Sequence, residues 1–147
     1  MDYETVSAPD FGAALTGMGL NLLVSDVGRS AAFLSGLFGM DVHRLSADFA
    51  IMTYAGQVFQ LHRDGTFGDH PLLGLVPESA PRGAGIELRL YQTDPDAAAA
   101  EAKPLGGHIL QAPTNKPHGL RECVILDADG YAWVPSRPLT ATEREQT

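Results

Sequence analysis

The sequence predicts an α+β fold made of two modules that repeat one order of elements. An internal repeat is the first observation behind this prediction. An apolar segment in the N-terminal half ends at Asp26, and Gly39 follows thirteen residues later; Asp94 and Gly107 have the same spacing in the C-terminal half. A matched glycine turn near the end of each half is the second observation. A repeat at this scale indicates two copies of one supersecondary unit that bury a shared interior.

Each module is predicted to run strand, helix, strand, strand, strand. Short apolar or alternating runs between glycine, proline and aspartate predict the strands, and apolar residues at helical spacing follow each aspartate. Ala55-Gly56 and the run from Asp127 to Gly130 predict tight turns before the last strands. The predicted strands are 18–25, 42–45, 49–54, 57–62, 86–92, 108–111, 121–126 and 131–135, the helices are 28–37 and 96–105, and 113–119 is a loop.

Composition changes along the chain predict five regions. Weak periodicity marks residues 1–17 as an N-terminal tail or covering segment, and residues 63–83 are a linker rich in glycine and proline. The modules occupy residues 18–62 and 84–138. The polar residues 139–147 are predicted to form a C-terminal tail that frays.

Composition and charge exclude several classes of protein. The 147 residues are 44% apolar and 19% charged, which allows a sizeable core, and the formal net charge is −8. An acidic surface repels nucleic acid and attracts cationic ligands. No apolar run reaches the ~18–20 residues of a membrane span, and the acidic N-terminus does not read as a secretion signal. The single cysteine, Cys123, is consistent with a reducing cytosol, so we expect a cytoplasmic protein.

Strand alternation predicts which side chains share one face of the sheets. The apolar set of each strand should face the helices, which leaves the polar set on the other face. That face is predicted to form a pocket, although an exposed sheet face gives the same alternation. Its predicted members are Asn21, Gln60, His62, Glu87, Arg89 and Tyr91.

Glu87 is the strongest single candidate on this face. It is a candidate general base or an anchor for a cationic ligand, and the alternative is a structural partner of Arg89 or Arg121. His62 is a candidate base or ligand, or else a surface residue at a strand end. Cys123 is predicted to be a small apolar filler rather than a nucleophile.

The two βαβββ modules, each with an aspartate after its first strand, and the Asp127-Ala128-Asp129-Gly130 hairpin resemble the vicinal oxygen chelate superfamily. This group includes glyoxalase I, bleomycin-resistance proteins, fosfomycin-resistance enzymes and extradiol dioxygenases. The resemblance covers residues 18–138. It implies that each half curls its sheet into a cup with the helices outside, and that the protein is a homodimer.

The resemblance also implies where further site residues lie. Family members place the loop that contains His118 at the mouth of the pocket. Strand alternation, in turn, puts Arg121 and Glu122 on opposite faces at the start of the next strand, so only one of them points inward. His118 and Arg121 complete the predicted ligand-binding set. Trp133 is expected on the helix-facing side of its strand.

Four positions that carry metal ligands in the metal enzymes of the family correspond to Gly19, Gln60, Glu87 and Val134. Glycine and valine have no donor side chain, and glutamine is a modest ligand. We therefore predict no family-type metal site and no cofactor, with a divalent metal on Gln60, His62 and Glu87 as the alternative.

Together these observations predict a protein that binds a small organic ligand on its cupped sheet without a metal. The drug-binding members of the family, which sequester cationic antibiotics, have this pattern. The alternative is a glyoxalase-like lyase or isomerase in which Glu87 removes a proton next to a carbonyl.

Overall fold

Two four-stranded mixed sheets with the same strand arrangement form the framework of the protein. A computed structural model describes all residues, 1–147. The chain has two compact units: unit 1 is residues 1–35 and 39–76, and unit 2 is residues 36–38 and 77–147. The predicted α+β fold class is confirmed, and neither sheet closes into a barrel. No helix is long and apolar enough to cross a bilayer.

The first sheet has the strand order β1-β4-β3-β2, in which β1 and β4 are parallel and the other neighbours antiparallel. Its elements, preceded by a short helix, are α1 (Ala8–Ala14), β1 (Asn21–Val24), α2 (Val27–Phe38), β2 (Asp41–His43), β3 (Phe49–Tyr54) and β4 (Gln57–Arg63). The predicted linker that follows contains two 3-10 helices, Asp64–Phe67 and Pro71–Leu75.

The second sheet repeats this topology in the order β5-β8-β7-β6, with β5 and β8 parallel. Its elements are β5 (Glu87–Leu90), α3 (Pro95–Ala102), a 3-10 turn (Lys103–Leu105), β6 (His108–Asn115), β7 (Leu120–Leu126), β8 (Ala132–Pro138) and α4 (Ala141–Glu145). The strand β6 continues through residues predicted to be a loop. Proline is tolerated there because β6 is an edge strand with register shifts.

Matched caps explain the helix repeat that the sequence shows. Asp26 accepts a hydrogen bond from the Arg29 backbone N–H, 3.0 Å away, at the start of α2. Asp94 caps α3 by accepting a hydrogen bond from the Asp96 backbone N–H at 2.9 Å. Each helical segment ends at a glycine with positive φ, Gly39 at 71° and Gly106 at 84°, a conformation that glycine adopts without a steric penalty.

Buried apolar side chains come from α2 and from strands of both sheets. In the second sheet, α3 contacts β6, β7 and β8. The largest fully buried side chains in the chain include Phe33, Leu34, Met40, Ile51, Met52, Leu61, Ile125 and Trp133.

The C-terminal residues, predicted to fray, instead contain the helix α4. Thr140 and Glu143 form a capping box, in which each side chain binds the other residue's backbone N–H. Glu143 also accepts two hydrogen bonds from Arg137 on β8, at 2.8 and 3.1 Å. These contacts order α4, although the polar composition of the segment alone predicts that it is disordered.

We expect α4 to unwind in acid. The Arg137 hydrogen bonds and the Thr140 cap lower the pKa of Glu143 from 4.5 to about 2. Because the folded-state pKa lies below the ordinary value, the contribution of Glu143 to the stability of α4 is present above pH 4.5. It is lost as the pH falls toward about 2. Amide chemical shifts of residues 141–145, followed by NMR during an acid titration, measure this change.

At neutral pH the Glu143→Gln variant is expected to increase hydrogen exchange in α4. The matched control is Glu145→Gln, since Glu145 lies on the same helix outside the capping box. Equal protection of α4 in the Glu143→Gln variant and the wild type would show that this contact does not hold the helix.

Candidate functional site

A chain of four polar side chains lies on one face of the second sheet. Arg89 Nη1 donates to Glu87 Oε2 at 3.0 Å, and Arg89 Nη2 donates to Glu122 Oε2 at 2.7 Å. The other Glu122 oxygen, Oε1, lies 2.9 Å from His118 Nε2. We call this set the Glu87–His118 chain. It joins residues from β5, from β7 and from the turn before β7.

The register of three strands places these side chains on the same face. Arg89 is paired with Val134 across the parallel β5–β8 ladder, and Ser136 is paired with Glu122 across the antiparallel β8–β7 ladder. Residues two apart on a strand share a face, so Val134 and Ser136 bring Arg89 and Glu122 to the same side. Glu87 joins them because it lies two residues before Arg89.

The Glu87–His118 chain has a buried middle and two exposed ends. The Glu122 side chain is only 6% exposed, whereas Glu87 is 57% exposed and His118 is 53% exposed. A buried carboxylate is tolerated when both oxygens have hydrogen-bond partners and a charge neutralises it. Arg89 and His118 meet these requirements for Glu122.

Arg89 is the centre of the electrostatics of this face. Burial lowers the pKa of its guanidinium, but hydrogen bonds to Glu87 and Glu122 outweigh that effect and leave the pKa above its usual value. Arg89 is therefore a permanent cation between two carboxylates. Its Cζ lies 5.7 Å from the centroid of the Tyr91 ring, which is itself exposed to solvent.

A short turn carries His118 to this face. The Lys116 N–H donates to the Leu120 carbonyl at 2.8 Å, and the Gly119 N–H donates to the Lys116 carbonyl at 3.1 Å. Gly119 has a φ of 91°, which favours glycine. His118 thus lies four residues before Glu122, at the edge of the sheet face.

The placement of Arg121 on the inward face was wrong, and Glu122 occupies that face instead. Arg121 lies on the opposite side, where it donates to both Asp96 oxygens at 2.8 Å. This ion pair lowers the pKa of Asp96 in the first turn of α3. The buried Cys123 and Ile125 share the parity of Arg121, and this signal in the sequence assigns Glu122 to the other face.

Cys123 itself is the buried apolar filler that the sequence predicts. It is fully buried, and its thiol donates to the Pro95 carbonyl at 3.5 Å. Burial raises the pKa of the thiol to about 12, so it is not a thiolate at neutral pH.

The first sheet brings together the three predicted site residues of unit 1. Asn21 is paired with Gln60 across the β1–β4 ladder, and His62 is on the same face two residues later. His62 Nε2 lies 3.2 Å from Gln60 Oε1, and its ring contacts Phe49 and Phe67 with centroids 5.1 and 5.0 Å away. Burial lowers the pKa of His62 and favours its neutral form. That the two sets of residues belong to one surface stays a prediction.

The four positions that correspond to metal ligands in the family do not suit a metal. Gly19 and Val134 offer no side-chain donor, and one oxygen of Glu87 already binds Arg89. No group of three or more histidine, cysteine, aspartate or glutamate side chains could hold a metal ion. Because zinc requires about four strong ligands, this donor set does not fit the metal centre of the metal enzymes.

The repeated βαβββ topology is that of glyoxalase-type proteins. The chain belongs to the Glyoxalase/Bleomycin resistance protein/Dioxygenase superfamily, whose family model matches residues 18–134. No curated protein shows significant sequence similarity to it.

Solved structures share the fold at low sequence identity. A hypothetical protein, SA1046 from S. aureus, is 20% identical with a TM-score of 0.67, and the match covers 87% of this chain and 98% of that one. A glyoxalase/bleomycin resistance protein/dioxygenase family enzyme from Burkholderia phytofirmans PsJN is 17% identical with a TM-score of 0.68, over 82% and 96% of the two chains. The fosfomycin resistance protein FosX from Mesorhizobium loti is 15% identical with a TM-score of 0.58, over 88% and 97%.

Proposed function

We propose that the protein binds a small organic cation on the face of the second sheet, without a metal, through Glu87 and Tyr91. The observation that carries this proposal is the Glu87–His118 chain, in which two carboxylates surround one guanidinium. Arg89 donates to both of them. The two carboxylates outnumber the one guanidinium, and Glu87 presents its carboxylate to solvent.

The geometry of Glu87 supports binding of a cation rather than an anion. Arg89 is the one cation that an anionic ligand would need here, and both of its terminal nitrogens already donate to carboxylates. Glu87 uses Oε2 for Arg89, and its Oε1 faces no protein donor in the structure. The net charge of −8 adds long-range attraction for cations.

The exposed ring of Tyr91 adds an apolar contact. A cation over an aromatic face gains about 0.5–1 kcal/mol at an exposed site. Tyr91 is 60% exposed and lies next to Arg89, on the same side as Glu87. The family to which the chain belongs includes bleomycin resistance proteins, and drug binding of that kind is consistent with an aromatic cation as the ligand.

The probe that tests this proposal is the phenethylammonium ion, a benzene ring joined to a primary ammonium group. Titration followed by two-dimensional amide NMR should show binding to the wild-type protein, with shifts at Glu87 and Tyr91. Glu87→Gln is expected to weaken the affinity about 3-fold, the size of an exposed ion pair. The anion 3-phenylpropionate, of similar shape, should bind more weakly.

A matched control separates a local contact from the overall charge. Glu101→Gln makes the same change of charge at an exposed position on α3, and it should leave the affinity for phenethylammonium unchanged. Equal weakening by both variants, or tighter binding of 3-phenylpropionate, would refute the proposal.

A further inference from the structure

His118 ends the polar chain in an arrangement that fixes the role of each ring nitrogen. Its Nε2 points inward to Glu122 Oε1 at 2.9 Å, while the side chain is 53% exposed. Its Nδ1 has no hydrogen-bond partner in the structure. One nitrogen is therefore tethered, and the other is available to a ligand.

Glu122 determines which nitrogen carries the proton. Its Oε2 accepts from the Arg89 guanidinium at 2.7 Å, and the oxygens of an ionised carboxylate can only accept hydrogen bonds. His118 Nε2 must then be the donor. In the neutral ring the second nitrogen, Nδ1, is an acceptor.

This contact is not needed to build the turn or to neutralise Glu122. Backbone hydrogen bonds from Lys116 and Gly119 already close the turn. Arg89 already supplies the counter-charge of Glu122. The hydrogen bond does hold the orientation of an exposed imidazole, as a carboxylate does for histidines that bind metals or transfer protons.

We propose that His118 Nδ1 is a second recognition point of the ligand site and that it accepts a hydrogen bond from the ligand. The proposal rests on the proposed function. Three successive contacts separate Glu87 from His118. A single ligand that binds both residues must therefore have an extended shape. The ligand class is an organic cation that carries, at its far end, a hydroxyl or N–H donor.

Three probes that differ in one substituent test this inference. Phenethylammonium has no distal polar group, tyramine adds a phenolic O–H donor, and 4-methoxyphenethylammonium adds an oxygen that only accepts. Measurements are made at about pH 8, above the ordinary pKa range of histidine. Wild-type protein is expected to bind tyramine about 5-fold more tightly than either other probe, the effect of one hydrogen bond.

Variants of His118 and Glu122 give a result that a purely structural role of their contact would not produce. His118→Phe keeps a ring but removes the acceptor, so the preference for tyramine should disappear. In Glu122→Gln the amide oxygen still accepts from Arg89, and its NH₂ group faces His118. The ring then carries its proton on Nδ1 and donates there. Because a phenolic oxygen and a methoxy oxygen can both accept this hydrogen bond, the preference for tyramine over the methoxy probe should disappear, and both should bind more tightly than phenethylammonium. Nitrogen chemical shifts of the imidazole report the tautomer directly.

The control is His108→Phe, an exposed histidine at the start of β6, which should keep the preference for tyramine. Equal affinities of the wild type for the three probes, or a tyramine preference that survives His118→Phe, would overturn the inference about His118. The proposed function would still stand if phenethylammonium binds in a Glu87-dependent way. Failure of all three probes to bind the wild type overturns both.

Discussion

Replacing Arg89 with methionine is expected to lower the free energy of unfolding by about 3 kcal/mol. The methionine keeps most of the side-chain volume but removes the charge that neutralises Glu122, whose side chain is 6% exposed. A buried carboxylate without its counter-ion is among the costliest single changes, and His118 alone is a weaker partner. Urea denaturation at neutral pH measures the loss.

Two further variants show that the loss comes from burial of an unpaired charge. Arg89→Met with Glu122→Met removes both charges, so most of the stability should return. Arg63→Met is the matched single control, because Arg63 pairs with Asp48 at 2.7 Å with both side chains about half-exposed. It should cost less than about 1 kcal/mol. An Arg89→Met variant as stable as Arg63→Met would contradict this description of the Glu87–His118 chain.

Truncation of Trp133 to alanine is expected to cost about 3–5 kcal/mol. The side chain is 2% exposed, and it lies on the face opposite the Glu87–His118 chain, as the sequence predicts. The variant leaves a cavity and also removes a hydrogen bond, since the indole Nε1 donates to Asp127 Oδ2 at 2.9 Å. The midpoint of urea denaturation reports the effect.

Trp133→Phe separates the two contributions. Burial raises the pKa of Asp127, whose Oδ1 still accepts from the Asp129 and Tyr131 N–H groups. Loss of the indole donor alone should cost about 1–2 kcal/mol. If Trp133→Phe were as destabilising as Trp133→Ala, the turn at Asp127 rather than packing of the ring would dominate.

The framework was predictable from sequence because it depends on local signals that occur twice. Asp26 and Asp94 each cap a helix, and a glycine of positive φ ends each helical segment. Strand parity also placed Gln60 and His62 on one face and Glu87 and Arg89 on one face. These features follow from periods of two and 3.6 residues and from the stereochemistry of single residues.

The choice between Arg121 and Glu122 depended on their neighbours in the strand. Parity places the two residues on opposite faces, and the apolar Cys123 and Ile125, which share the parity of Arg121, leave the other face to Glu122. The structure shows the reason for the outcome: Arg121 reaches Asp96 on α3, while Glu122 is neutralised by Arg89 from a strand 33 positions earlier. Pairings over such separations depend on the tertiary fold. The helix α4 was not predicted because it also depends on a tertiary contact, the hydrogen bond from Arg137 on β8 to Glu143.

The central claim is that unit 2 binds an organic cation through Glu87 without a metal. Isothermal titration of phenethylammonium into chelator-treated protein, with and without added Zn²⁺ and Mn²⁺, tests it most directly. We expect the same affinity in all three conditions and a weaker one for Glu87→Gln. Binding that appears only after a metal is added, or that is equal in wild type and Glu87→Gln, would contradict the claim.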